Sequence, residues 1–171
     1  MKNSNIMIAR SKRGYEITVK GRATFDCSSP LRNFADNIVP GSIEKIFIDL
    51  SECSWLDSTF MGTLAMLGLN AQKANIDVEI VNIDDKNFNL LKELGVNKLF
   101  LYNNRKNSES DEEKWEKLIS ASHNNNDSQE EIADTILEAH KTLMDIDENN
   151  VSKFQKVVEM VEKDIHKRKK R

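Results

Sequence analysis

Ile46-Phe47-Ile48-Asp49-Leu50-Ser51-Glu52-Cys53-Ser54-Trp55-Leu56-Asp57-Ser58-Thr59-Phe60-Met61-Gly62 passes from one hydrophobic pattern to another without a gap. Its first part, Ile46, Phe47, Ile48 and Leu50, is a short apolar run of β-favouring residues and reads as a buried strand. Its end reads as a helix start. Asp57, Ser58 and Thr59 carry side-chain oxygens able to accept from the free N–H groups of a first helical turn, and the apolar residues behind them recur at helical spacing. A hydroxyl is thereby placed at the positive end of a helix. A phosphate there meets unpaired backbone donors and the favourable end of the helix dipole, so the position suits a reversible phosphoserine switch.

Upstream, Ile6 to Ala9 and Tyr15 to Val19 are β-favouring segments separated by Arg10-Ser11-Lys12-Arg13-Gly14, a hairpin pattern. Tyr15, Ile17 and Val19 alternate with Glu16 and Thr18, which gives one buried and one wet face. Gly21 ends the second strand. Ser28-Ser29-Pro30 supplies a cap and a starting proline for a helix over Leu31 to Val39, stopped by Pro40-Gly41. Downstream of the opening stretch, a helix over Ser58 to Lys73 places Phe60, Met61, Leu64, Leu67 and Gly68 on its packed side. Ile76, Val78, Ile80 and Val81 form the next strand, and Asp84-Asp85 begins a helix carrying Phe88, Leu90, Leu91 and Leu94, with Gly95 as its C-cap. Val96 to Tyr102 closes the series as a short strand or helical turn. The β-β-α-β-α-β-α-β alternation predicts an α/β fold with a mixed sheet and helices mostly on one face. Parallel pairing of the Ile46 and Ile76 strands sets Asp57 and Ser58 at a strand's carboxyl end, where open α/β sheets bind ligands.

Beyond Tyr102 the composition changes. Asn103 to Ser108 is polar enough for a linker, and a boundary near Asn104 divides a domain at 1–104 from a helical extension at 105–171. Glu109 to Ser120 is predicted as a short helix with Trp115, Leu118 and Ile119 on its apolar side, broken by His123 to Asp127. Ser128-Gln129-Glu130-Glu131 matches a capping box, and Ile132, Ile136, Leu137, His140, Leu143 and Met144 follow one helical face. Val151, Phe154, Val157, Val158, Val161 and Ile165 form a second stripe, which predicts an αα-hairpin. Its apolar faces need a surface: the first domain, a second copy or another protein.

The 171 residues hold one ordinary domain plus an appendage. A net charge of −3 argues against a general nucleic-acid binder. The chain lacks a basic-then-apolar leader and any apolar run near the roughly 20 residues of a membrane helix, so the expectation is a cytoplasmic protein without stable membrane insertion. Cys27 and Cys53 have neither CxxC spacing nor a histidine cluster beside them and read as small buried thiols. His123, His140 and His166 are too dispersed for a metal site, and His140 reads as part of its helix's packing face. Asp49 and Asp57 have no His or Lys placed to complete a catalytic set. Lys167-Arg168-Lys169-Lys170-Arg171 reads as a solvated helix end favoured by the dipole.

Asp49-Leu50-Ser51 through Leu56-Asp57-Ser58-Thr59, with Gly62 and Leu64 behind, resembles the signature of STAS domains, specifically the bacterial anti-sigma-factor antagonists, over residues 5–104. The resemblance implies a STAS-like mixed sheet and a serine, here Ser58, phosphorylated by an anti-sigma factor that is also a serine kinase. Thr59 is the lesser alternative acceptor. Asp57, Ser58, Thr59 and Phe60 are the expected partner-binding residues, together with Thr24 in a loop that contacts the partner in the family. Phe60 stands where antagonists usually have Gly, and Arg22-Ala23-Thr24 where they commonly show Glu-x-Asp. The expected protein is a non-enzymatic phosphoprotein of transcription regulation with no cofactor of its own: ATP and magnesium belong to the kinase, and a separate metal-dependent serine phosphatase removes the phosphate. The alternative is a STAS scaffold or adaptor that oligomerises through its C-terminal helices.

Overall fold

A computed structural model describes residues 4–11, 14–105, 116–122 and 127–171, the segment 116–122 by its backbone alone. In chain order the elements are β1 (Asn5–Ser11), β2 (Gly14–Ala23), α1 (Ser28–Asp36), β3 (Lys45–Leu56), α2 (Ser58–Lys73), β4 (Asp77–Val81), α3 (Asp85–Glu93), β5 (Leu101–Asn103), β6 (Glu116–Ser122), α4 (Gln129–Ile146) and α5 (Asn149–Lys169). One-turn 3-10 helices at Phe25–Cys27 and Val96–Leu99 precede α1 and β5. The closing segment Val96 to Tyr102 is thus both a helical turn and a short strand.

The strands form one mixed sheet in the order β5-β4-β3-β2-β1-β6. β3 runs parallel to β2 and β4, β4 parallel to β5, and β1 antiparallel to both its neighbours. The period-2 alternation sorts the faces. Ile8, Ile17, Ile48 and Ile80 lie side by side in register and, with Ile6, Val19, Ile46 and Val78, meet Phe60, Leu64 and Leu67 of α2 in one core. The intervening residues occupy the other face, where Phe47 lies under Arg105, whose guanidinium carbon is 3.9 Å from the ring centre, and Lys45 pairs with Glu79 at 2.5 Å. Polar and cationic groups cover that face, and the aliphatic one is left to the helices.

β3 is longer than its apolar start suggests because its second half stays paired with β2 through two register shifts. One falls between Thr18 and Lys20 of β2, the other between Gly21 and Arg22, and at each β3 carries one extra residue. Each bulge flips the side-chain alternation, so Cys53 and Leu56 point into the core although Ser51 and Glu52 between them and Leu50 are exposed. Bulges re-aim a strand end. Here they deliver Asp57 to the top of the sheet, with its N–H donating to Ala23 O at 2.9 Å.

Three local expectations change. α1 begins at Ser28 and ends at Asp36, leaving Val39 outside the helix and 61% exposed. Asn103 belongs to β5 rather than to a linker. The short helix expected over Glu109 to Ser120 is replaced, where it is described, by strand β6, which pairs with β1 from Asn5↔Ser122 to Arg10↔Glu116. Glu, Lys and Leu are good helix formers, but intrinsic propensity is worth only tenths of a kcal/mol per residue, and pairing with the open hydrogen-bonding edge of β1 outweighs it. Residues 109–115 and 123–126, with Trp115 and His123, lie outside the described residues. The αα-hairpin is present. Ser128 Oγ accepts from Glu131 N at 3.1 Å to cap α4, and Asp147-Glu148 separates it from α5. Buried Asn150 fixes that turn, its Nδ2 donating to Leu94 O at 2.9 Å and Leu143 O at 2.8 Å.

Candidate functional site

The site sits where β3 becomes α2. Asp57 is the N-cap of α2: one carboxylate oxygen accepts from Phe60 N at 2.7 Å, and the other accepts from Phe25 N at 2.8 Å. A single side chain therefore satisfies a free donor of the helix and ties down the loop that follows β2. Burial raises the Asp57 carboxyl above its ordinary value, while the Phe60 and Phe25 N–H groups and nearby His140 oppose that rise. The neighbouring loop contains Thr24, half-buried, whose carbonyl accepts from Cys27 N at 3.1 Å and Ser28 Oγ at 2.9 Å. Thr24 thus lies one residue from a direct Asp57 contact.

Ser58, the first residue of α2, is half-buried and its Oγ lies 3.0 Å from His140 Nε2. The other ring nitrogen of His140, Nδ1, lies 2.7 Å from Ile136 O. A carbonyl only accepts, so Nδ1 carries the hydrogen, and in the neutral ring Nε2 offers a lone pair. The Ser58 hydroxyl is then the donor. His140 is 4% exposed, and burial lowers its pKa below the ordinary value, against the pull of the Ile136 bond and the Asp57 charge. Its ring also packs on Phe154 of α5, with centres 5.0 Å apart. One imidazole thus links the start of α2 to both helices of the hairpin.

Asp57, Ser58, Thr59 and Phe60 are contiguous, but they do not share an environment. Thr59 is 5% exposed, which removes its hydroxyl from a partner's reach. Phe60 is fully buried in the core cluster. The sequence left Phe60 between a core knob and a docking residue; its burial makes it a core knob and takes it out of any exposed partner surface. Asp49 is turned to its own strand, accepting from Ser51 N at 2.9 Å. Cys27 and Cys53 are buried free thiols, and burial pushes Cys27 up to about 11, which leaves it unreactive.

Sequence reasoning missed the groups that α4 brings: His140 as the partner of Ser58, and Glu138, whose carboxylate takes two bonds from Arg32 of α1 at 2.8 Å each. The available signal was a histidine inside an otherwise apolar stripe. Among the described residues no cluster of His, Cys, Asp or Glu is arranged to hold a metal. No helix among them is long and apolar enough to cross a membrane. Comparison of the sequence with protein-family models finds no match, and comparison with curated proteins finds none.

Proposed function

We propose that this chain is a non-enzymatic partner-switching protein of the STAS, anti-sigma-antagonist type, whose switch is the hydroxyl of Ser58. The observation that carries the reading is a serine at the Asp57-capped start of α2, at the carboxyl end of a parallel strand. Phosphoserine there gains the helix N-terminus and meets a half-buried carboxylate at the adjoining residue. A charge arriving at that place changes the surface sharply. Unphosphorylated, the Ser58 surface binds an anti-sigma factor with serine-kinase activity; phosphorylated, it lets that partner go. The kinase brings ATP and magnesium, and a serine phosphatase resets the switch. Asp57 orders the helix start and Thr24 flanks it.

The test is phosphate mapping by mass spectrometry on the protein from its own cells, with a Ser58→Ala strain as control, alongside capture of partners by the wild type and by Ser58→Asp. Phosphate on Ser58 and loss of a specific partner in Ser58→Asp support the switch. Full partner retention by a folded Ser58→Asp protein counts against it.

A second reading, a STAS scaffold that self-associates through the C-terminal helices, is favoured by one feature. α4 and α5 flank an open groove of about 490 Å³ in which Ile132, Ala133, Ile136, Met160 and Val161 are rimmed by Gln129, Asp164 and Arg168, with Met160 70% exposed.

A further inference from the structure

The face that carries Ser58 is occupied by the chain's own α4, and the way α4 sits there is informative. At the crossing, a Cβ on Gly62 would fall 2.4 Å from the Ala139 carbonyl oxygen and 2.8 Å from Ala139 Cβ, so the two helix backbones touch. Around that point the contact is polar. Ser58 bonds His140 at 3.0 Å, Arg32 holds Glu138, Asn33 Nδ2 donates to Glu131 Oε1 at 3.1 Å, and the Ser29 and Thr135 hydroxyls meet at 3.3 Å. Of the residues that α4 buries, Leu143 is the one large aliphatic; the others are Ala133, Thr135, Ala139 and His140. A close, small-residue, hydrogen-bonded contact is the kind found between bodies that separate, whereas permanent contacts are more apolar.

The same geometry ties the hydroxyl hydrogen of half-buried Ser58 into the seated contact. Phosphorylation replaces the hydrogen that Oγ donates to Nε2 at 3.0 Å, so the bond to His140 is lost and an ester oxygen is left facing the ring nitrogen's lone pair. It also adds a charge of about −1.5 to −2 beside the Asp57 carboxylate.

We propose that the α4–α5 hairpin is an intramolecular occupant of the Ser58 face, and that a phosphate on Ser58 and a seated hairpin exclude each other, so that phosphorylation releases the hairpin. This rests on the reading of Ser58 as the switch residue. In the modifying step, Ser58 Oγ attacks the terminal phosphorus of a nucleoside triphosphate held by the kinase; the Oγ–P bond forms, the bond to the leaving diphosphate breaks, and the hydroxyl proton passes to a base of the kinase. The kinase reaches Oγ only after displacing α4, so hairpin and partner compete for one surface. His140 is the latch of the seated state.

Hydrogen exchange read by mass spectrometry on the full chain tests this directly, comparing wild type, protein with phosphoserine installed at position 58 during synthesis, and His140→Ala. Release predicts amides of α4 and of the first turns of α5 exchanging about tenfold faster or more with phosphoserine, β3 and β4 keeping their protection, and a smaller change of the same sign in His140→Ala. Unchanged or slower exchange in α4, as when the phosphate is gripped by a protonated His140, overturns the proposal. Equal loss of protection in β3 and β4 also overturns it, because hairpin and sheet would then be one cooperative unit. The switch reading fails separately: it falls if no phosphate is ever found on Ser58 in cells, whatever the hairpin does.

Discussion

Asp57 and His140 lie on either side of Ser58 and titrate in opposite senses, which makes the site's pH response readable. Burial holds His140 neutral below its ordinary value of 6.5. As pH falls below 6.5, the unfolded chain takes up this proton before the folded one, so stability declines with acidification until folded His140 is protonated too. Asp57, raised above its ordinary 3.8, acts the other way: the folded state binds its proton first, so acidification through that more acidic range favours folding. Denaturant unfolding at pH 7.5 and in steps down to pH 5.5 is expected to show the His140 loss, and His140→Gln is expected to flatten it. Asp57→Ala removes a cap serving two backbone donors and is expected to cost about 1–2 kcal/mol, measured the same way at neutral pH. The cap was legible in the sequence because an N-cap acts on the three residues after it. The His140 contact was not, since its two partners are 82 residues apart and no local pattern encodes that approach.

Helix-to-helix approach explains which glycines matter. The sequence placed Gly68 on the packed side of α2, and the structure sets it against the Val96–Leu99 turn and Phe100: an added Cβ would lie 3.0 Å from Leu99 Cβ and 3.2 Å from the Phe100 ring. Gly62 makes the tighter contact, and there the obstacle is the backbone of α4, 2.4 Å away. Gly62→Ala is therefore expected to destabilise the protein by about 1–3 kcal/mol and to loosen α4 first, since neither backbone can shift without moving a whole helix. Gly68→Ala gains roughly 1 kcal/mol of helix propensity against a contact that the Val96–Leu99 turn and the Phe100 ring must give way to only slightly, and it is expected to cost less than Gly62→Ala. Thermal unfolding of both variants ranks them, and a milder effect at Gly62 than at Gly68 would contradict the assigned crossing. At this scale the sequence was most readable where periodicity is strong, in α2, α4 and α5. It was least readable where pairing creates the element: the second half of β3 exists through its bulged ladder with β2, and β6 through the edge of β1.

The chain's return to its own sheet governs the behaviour of the whole molecule. After β5 the polypeptide crosses to the far edge, covers β1 with β6, and lays α4 over the small and polar patch of α1 and α2. Cutting it after Arg105 takes both covers away. The hydrogen-bonding edge of β1 from Asn5 to Arg10 is then unpaired, and an exposed edge strand is a template for pairing with another chain. The cut also removes Leu143 and the support of Phe154 from the core. If the C-terminal helices serve their own domain, the full chain is expected to run as a monomer by light scattering, and the chain ending at Arg105 to be less stable and to associate or precipitate. If they drive oligomerisation instead, the sign reverses: the full chain is the larger species, and the cut yields a well-behaved monomer. Equal oligomeric states for the two chains also remove the tail-driven scaffold, because deleting its interface would have changed nothing. The comparison separates the readings without a partner in hand, because it asks only which surface the helices were made to cover.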